Sequence, residues 1–154
     1  MTDNKPVLIL GIGNILLKDE GIGVHVANIL KDMSLPPEVE VMDGGTMGID
    51  LLFYIEDRKK VIVIDTVKAG EPPGTMYRFT DKDLSFKKNF LRTAHGIDFS
   101  DVVRTARNLG TKPDEVVFIG IEPEDMEEGL ELSPLISSRI PVLIKLVFEE
   151  LKSL

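Results

Sequence analysis

Neither cysteine nor tryptophan occurs among the 154 residues, and histidine occurs only twice. Without thiols there can be no disulfides, no thiolate zinc site and no cysteine nucleophile, a composition that suits a reducing cytoplasm. A serine nucleophile remains open. Long apolar runs are missing too: none approaches the roughly 18 residues that span a bilayer. Met1 to Lys5 carry no basic region leading into an apolar stretch, as a secretory signal would. A soluble, cytoplasmic protein with no membrane insertion is expected. Positive charge is scarce, with 18 Lys and Arg against 26 Asp and Glu and a formal net charge of -8. That balance opposes a nucleic-acid partner, which needs a basic surface to displace counterions, and favours a protein, peptide or cationic ligand.

What is present is enough apolar material, 43% of the chain, for one domain over residues 1–154 to bury a core unaided. Repeats, low-complexity tracts and linkers are absent. Val7 to Leu10, Val61 to Ile64 and Val116 to Ile119 are short, continuously apolar, β-branched runs, the pattern of parallel strands covered on both faces. Val39-Glu40-Val41 is a fourth strand candidate. Thr75 to Phe79, after the Glu71-Pro72-Pro73-Gly74 turn, is a fifth that belongs at an edge. Between the strands, Ile22, Val26, Ile29, Leu30 and Met33 recur at helical spacing, with Asp19 and Glu20 where a helix N-terminus favours negative charge. Gly48 to Ile55 and Phe99 to Leu109 read as further helices, the second closed by Gly110. Ser133-Pro134 opens the last helical stretch, which Pro141 should kink or divide. The alternation predicts an α/β fold of three layers, α/β/α, with a mostly parallel five-stranded sheet and helices on both faces.

In open α/β sheets, ligands bind beyond the carboxyl ends of the strands. The polar residues there are Glu20 after the first strand, Asp43 after the second and Asp65 after the third, with His95 in the loop Thr93-Ala94-His95-Gly96. The sheet should gather these four at one rim. Two carboxylates and a neutral imidazole can hold a divalent ion such as nickel, zinc or iron while leaving positions open for a substrate. Each acid also has a plainer reading: Asp65 as a turn residue, Asp43 as the cap of the Gly44-Gly45 turn, and Asp19-Glu20 as helix-terminus charges, a role given above all to Asp19. His25, about 140° around a helix from Glu20, reads as a surface or packing residue. Gly11-Ile12-Gly13 invites a dinucleotide reading, but the third glycine of that fingerprint falls on Leu16. A tight turn above the sheet fits the two glycines better.

The segment Gly11-Ile12-Gly13-Asn14-Ile15-Leu16-Leu17-Lys18-Asp19-Glu20-Gly21-Ile22-Gly23-Val24 resembles the opening signature of the hydrogenase maturation endopeptidases. Asp43-Gly44-Gly45-Thr46-Met47-Gly48 resembles the family's second block, and Val63-Ile64-Asp65-Thr66-Val67 with Gly70 its third. Gly120-Ile121-Glu122-Pro123 with Gly129-Leu130-Glu131-Leu132-Ser133-Pro134 resembles the late one. The resemblance implies an endopeptidase that trims the C-terminal extension from the large-subunit precursor of a nickel-iron hydrogenase. It implies that Glu20, Asp65 and His95 contact nickel, an ion carried by the precursor's thiolates rather than resident in this chain. Cleavage would then follow nickel insertion. For bond breaking, nickel can polarise the carbonyl as a Lewis acid, or Asp43 can activate water in an aspartyl-type role. Two other readings use the same residues: a nickel-dependent chaperone that inspects without cutting, and a metal-dependent aminopeptidase-like hydrolase with its own ion.

Overall fold

The computed structural model describes residues 4–83, 99–110 and 113–154. The strands are β1 (Val7–Ile12), β2 (Val39–Gly45), β3 (Lys60–Thr66), β4 (Met76–Thr80) and β5 (Glu115–Ile121). The helices are α1 (Ile22–Lys31), α2 (Leu52–Ile55), α3 (Phe99–Asn108), α4 (Pro134–Ser138) and α5 (Ile140–Lys152). One five-stranded sheet has the order β2-β1-β3-β5-β4. β1 pairs in parallel with β2 and β3, and β3 with β5, while β4 runs antiparallel along β5 at the edge. The apolar runs thus became central strands, and the fourth and fifth candidates took the two edges, where one side of the ladder needs no partner.

Alternation along the strands divides the core in two, because successive side chains leave opposite faces. Leu8, Leu10, Val61, Val63, Val116 and Phe118 pack with Leu51 and Ile55 and with Val102, Val103 and Ala106 of α3. On the other face, Ile9, Ile62, Ile64, Val117 and Ile119 meet Ile22, Val26 and Leu30 of α1, Ile136 of α4, and Leu143 and Val147 of α5. The layers are those expected. Ile22, Val26 and Leu30 of the predicted α1 stripe are buried, whereas Ile29 is 39% and Met33 40% exposed. The core-facing line is narrower because Gly23 and Ala27 press against the sheet. A Cβ on Gly23 would stand 2.1 Å from the Ile64 carbonyl oxygen, so α1 rides directly on the strand ends.

Residues 48–55 form a 3-10 turn, Gly48–Leu51, before the single turn of α2, rather than one continuous helix. Gly110, at φ 73, closes α3, its N–H donating to the Arg107 carbonyl. The last stretch divides as expected: Ser133 accepts from the Ile136 N–H to cap α4, and Pro141 lies in the first turn of α5. Proline has no N–H to continue the ladder, so the break falls at Arg139.

The amino ends of the strands are tied by buried cations. Lys60 reaches the Glu150 carboxylate at 3.1 Å and the Ser153 hydroxyl at 3.0 Å, and Arg78 also donates to Glu150. Arg58, fully buried, holds the Tyr54 and Lys5 carbonyls and Glu40. Burial pushes the Glu150 carboxyl up, but the hydrogen bonds and charges of Arg78 and Lys60 outweigh it, so the group lies below its ordinary 4.5. A depressed folded-state pKa stabilises above the unfolded value and ceases to as pH falls through the folded one. Glu150→Gln should therefore lose about 2 kcal/mol at neutral pH. The gap from wild type should close in acid, as thermal midpoints of both proteins against pH will show.

Candidate active site

The acids singled out from the sequence lie at the carboxyl end of the sheet: Asp43 on β2, Asp65 on β3 and Glu20 on the turn after β1. Gly11 of β1 pairs with Asp43 on one side and Ile64 on the other, so Asp65 lies one residue beyond the level of Asp43. Two interstrand steps place their backbones about 10 Å apart, flanking β1. Their side chains leave by different faces. Asp43 continues the Val39, Val41 series that faces α1, and Asp65 continues the Val61, Val63 series that faces α3.

Glu20 is carried by the 3-10 turn Lys18–Gly21, immediately before α1, and this turn packs against β3. Glu20 is 5% and Asp65 3% exposed. Asp65 Oδ1 accepts from the Thr66 N–H at 2.7 Å. Asp43 is half-buried, and its Oδ1 accepts from the Gly45 N–H at 2.9 Å, so the turn-capping role foreseen for it is real. It also lines an open cleft of about 310 Å³ with Gly13, Asn14, Ile15, Leu16, Val24, Gly45 and Thr46. Glu20 and Asp65 are not among those lining residues. His95 lies outside the described residues. Among the described residues, no three His, Asp or Glu side chains converge as a metal cluster. His25 is a partly buried packing residue on α1, as its position implied.

Two further acids shape this end, and the sequence reading gave neither its due. Asp19 does more than place charge at a helix terminus: it is fully buried, with a carboxylate that receives the N–H groups of Glu124, Asp125 and Ser133 and the Ser133 hydroxyl. Glu122, 6% exposed, uses Oε1 to hold the Ala69 N–H at 3.0 Å, the Glu71 N–H at 3.3 Å and the Tyr77 hydroxyl at 2.7 Å. Backbone bonds from Gly74 to Glu122 and from Glu122 to Thr75 complete the clamp on the β3–β4 connection. The available signal was the β5–α4 connection itself. So long a loop, rich in acids, must be pinned from elsewhere to stay ordered. Around the cleft, Ile15, Leu16, Met47, Ile49 and Leu130 are exposed large apolar side chains on the loops of this same end.

Residues 24–150 match the family model described as hydrogenase maturation protease. The chain is 37% identical to the hydrogenase expression/formation protein HupD of Rhodobacter capsulatus over 150 residues, 96% of this chain and 71% of that one. Its fold is similar to that of the hydrogenase maturating endopeptidase HybD from Escherichia coli, with a TM-score of 0.87 and 32% identity over 96% of this chain and 92% of that one. It is also similar to a [NiFe] hydrogenase maturation protease HybD from Thermococcus kodakarensis, at a TM-score of 0.76 and 26% identity, covering 93% and 97%.

The Glu122 clamp can be tested through its phenol. Burial, then the hydrogen bond and charge of Glu122, push the Tyr77 hydroxyl well above its ordinary 10.0. A raised folded-state pKa stabilises below the unfolded value and stops doing so as pH climbs through the folded one. Tyr77→Phe should lower stability by about 2 kcal/mol, the scale of a hydrogen bond to a charged group. Denaturant midpoints should show that deficit undiminished across neutral pH and shrinking only in strong alkali.

Proposed function

The chain belongs to the hydrogenase maturation protease family and is an endopeptidase, and from that premise we propose that it removes the C-terminal extension from a nickel-iron hydrogenase large-subunit precursor after nickel insertion. The observation that carries this reading is the pair of buried acids, Glu20 and Asp65, on adjoining elements at the carboxyl end of the sheet, within the blocks that resemble the family. Two carboxylates balance the charge of one divalent ion brought to them. The nickel enters as part of the substrate, held by the precursor's thiolates, and Glu20, Asp65 and His95 complete its coordination. That contact positions the scissile bond by proximity rather than through affinity for the tail. An empty precursor lacks it and is not cut. The exposed apolar side chains beside the cleft suit a protein partner. The acidic, cysteine-free composition fits the cytoplasm.

Hydrolysis requires a water oxygen to bond to the carbonyl carbon, a proton to leave that water, and the C–N bond to break as the amine gains a proton. Asp43, on the cleft, is the group we assign to take the water proton, with nickel polarising the carbonyl. Its bond to Gly45 occupies one oxygen and fixes the carboxylate's orientation.

The test is the mass of nickel-loaded and nickel-free precursor before and after incubation with the protein. Loss of the tail from the loaded form alone is expected. An intact loaded precursor would indicate an inspection module without proteolysis, and stoichiometric metal in the purified protein would favour an aminopeptidase-like hydrolase. Asp43→Asn should bind loaded precursor yet cut it at least about 100-fold more slowly; undiminished turnover removes Asp43 from the mechanism. Glu20→Gln, Asp65→Asn and His95→Ala should each weaken binding of the loaded form.

A further inference from the structure

Asp19 and Glu20 are consecutive acids, both buried, on one short turn. The environment of Asp19 is fully specified. Oδ2 receives the Glu124 N–H at 3.0 Å, the Asp125 N–H at 2.8 Å and the Ser133 hydroxyl at 2.8 Å, while Oδ1 receives the Ser133 N–H at 2.7 Å. Its own N–H donates to the Asp125 carbonyl at 3.0 Å. On either side, the Lys18 N–H donates to the Gly129 carbonyl and the Gly129 N–H to the Leu16 carbonyl. Ser133 in turn caps α4, which packs into the core. Through Asp19, the turn bearing Glu20 is therefore tied to the helical block on the far side of the β5–α4 loop.

A second observation points the same way. Lys18, the first residue of the turn, has φ 46, a left-handed conformation that costs a non-glycine residue roughly 1–2 kcal/mol. Leu17, at the turn's N-cap, has a hydrocarbon side chain with no oxygen to cap it. Such a conformation persists only where the surroundings impose it, and the surroundings here are the Gly129 backbone, the Lys18–Asp125 ion pair at 2.9 Å, and Asp19 with its amide partners. The turn is held in a shape it would not keep alone, and its next residue is Glu20.

We propose that Asp19 is a positioning residue of the peptidase: its buried carboxylate, by gripping the Glu124, Asp125 and Ser133 amides, fixes where Glu20 meets the substrate's nickel. This rests on the assignment of Glu20 above. Outer partners of metal-contacting groups typically govern about 10–100-fold in metal engagement.

The test compares binding of nickel-loaded and nickel-free large-subunit precursor to wild type, Asp19→Asn, Ser133→Ala, Glu20→Gln and the Asp19→Asn/Glu20→Gln double variant, with thermal midpoints alongside. Asp19→Asn should lower the loaded-to-empty affinity ratio by about tenfold or more while affinity for the empty precursor stays unchanged. The double variant should show the ratio of Glu20→Gln and no less. A general loosening of the protein would weaken both forms alike, so an unchanged ratio in Asp19→Asn overturns the proposal. A double variant with a ratio below that of Glu20→Gln overturns it too. If Asp19→Asn does not fold, Ser133→Ala, which deletes one of the four bonds, takes its place and must lower the ratio in a smaller step that Glu20→Gln abolishes. A wild type that binds loaded and empty precursor equally removes the nickel-recognition reading and this inference with it. A wild type that discriminates, beside an Asp19→Asn that discriminates as well, removes this inference alone.

Discussion

The carboxyl end of the sheet depends on one interaction: a carboxylate receiving backbone N–H groups, for Asp19 and Glu122 a buried one receiving them from a distant loop. Asp19 takes three amides and a hydroxyl, Glu122 two amides and a phenol, and Asp43 the amide of Gly45. Loops leaving a parallel sheet carry amides with no ladder to join, and a buried amide left unpaired is costly. An acid at the strand end solves this and is satisfied in the same step, since a buried carboxylate equally demands donors. The connections after β1, β3 and β5 are thereby made walls of fixed shape, and Glu20 is presented from the first of them while Asp65 stands at the end of β3.

The two ends of the sheet use charge differently. At the amino end, Lys60 and Arg58 meet Glu150, Glu115 and Glu40, so cation and carboxylate are matched. At the carboxyl end, the donors to Asp19 and Glu122 are neutral amides and hydroxyls. Such donors orient a carboxylate without adding a positive counter-charge. Amides pointed at an acid hold it in place, and Lys18, a cation at this end, pairs with Asp125 rather than with these two carboxylates.

How much of this was legible from the sequence follows from how local each signal is. Val7 to Leu10, Val61 to Ile64 and Val116 to Ile119 are strands because a run covered on both faces must be apolar throughout, and that is visible within four residues. Pro141 divides α4 from α5 because a missing N–H acts where it stands. The rim location of Glu20, Asp43 and Asp65 follows from topology and was legible too. Asp19 was misjudged because its partners lie more than a hundred residues away, at Glu124, Asp125 and Ser133, and no periodicity records a contact between two loops. The opposite faces of Asp43 and Asp65 were open to strand parity, since Val39 and Val41 share one series and Val61 and Val63 the other. That distinction needs the register of β2 against β1, which only the folded sheet supplies.

The shape of the turn explains why two adjacent acids can serve different ends. In a 3-10 helix there are three residues per turn, so neighbours project about 120° apart. Asp19 projects into the β5–α4 loop, and a rotation of that size takes Glu20 to another side of the same turn, which packs on β3. An α-helical start at this point would leave neighbours about 100° apart and turn Glu20 through a different angle from Asp19. Gly23 sets how close the helix comes: with no Cβ, it lets the first turn of α1 sit against the Ile64 and Ile12 carbonyl oxygens, where a Cβ would stand 2.1 and 2.4 Å away. A glycine that draws the helix down onto the sheet, a left-handed lysine that opens the turn and an aspartate that anchors it are thus three parts of one constraint. Its product is the position of a single glutamate.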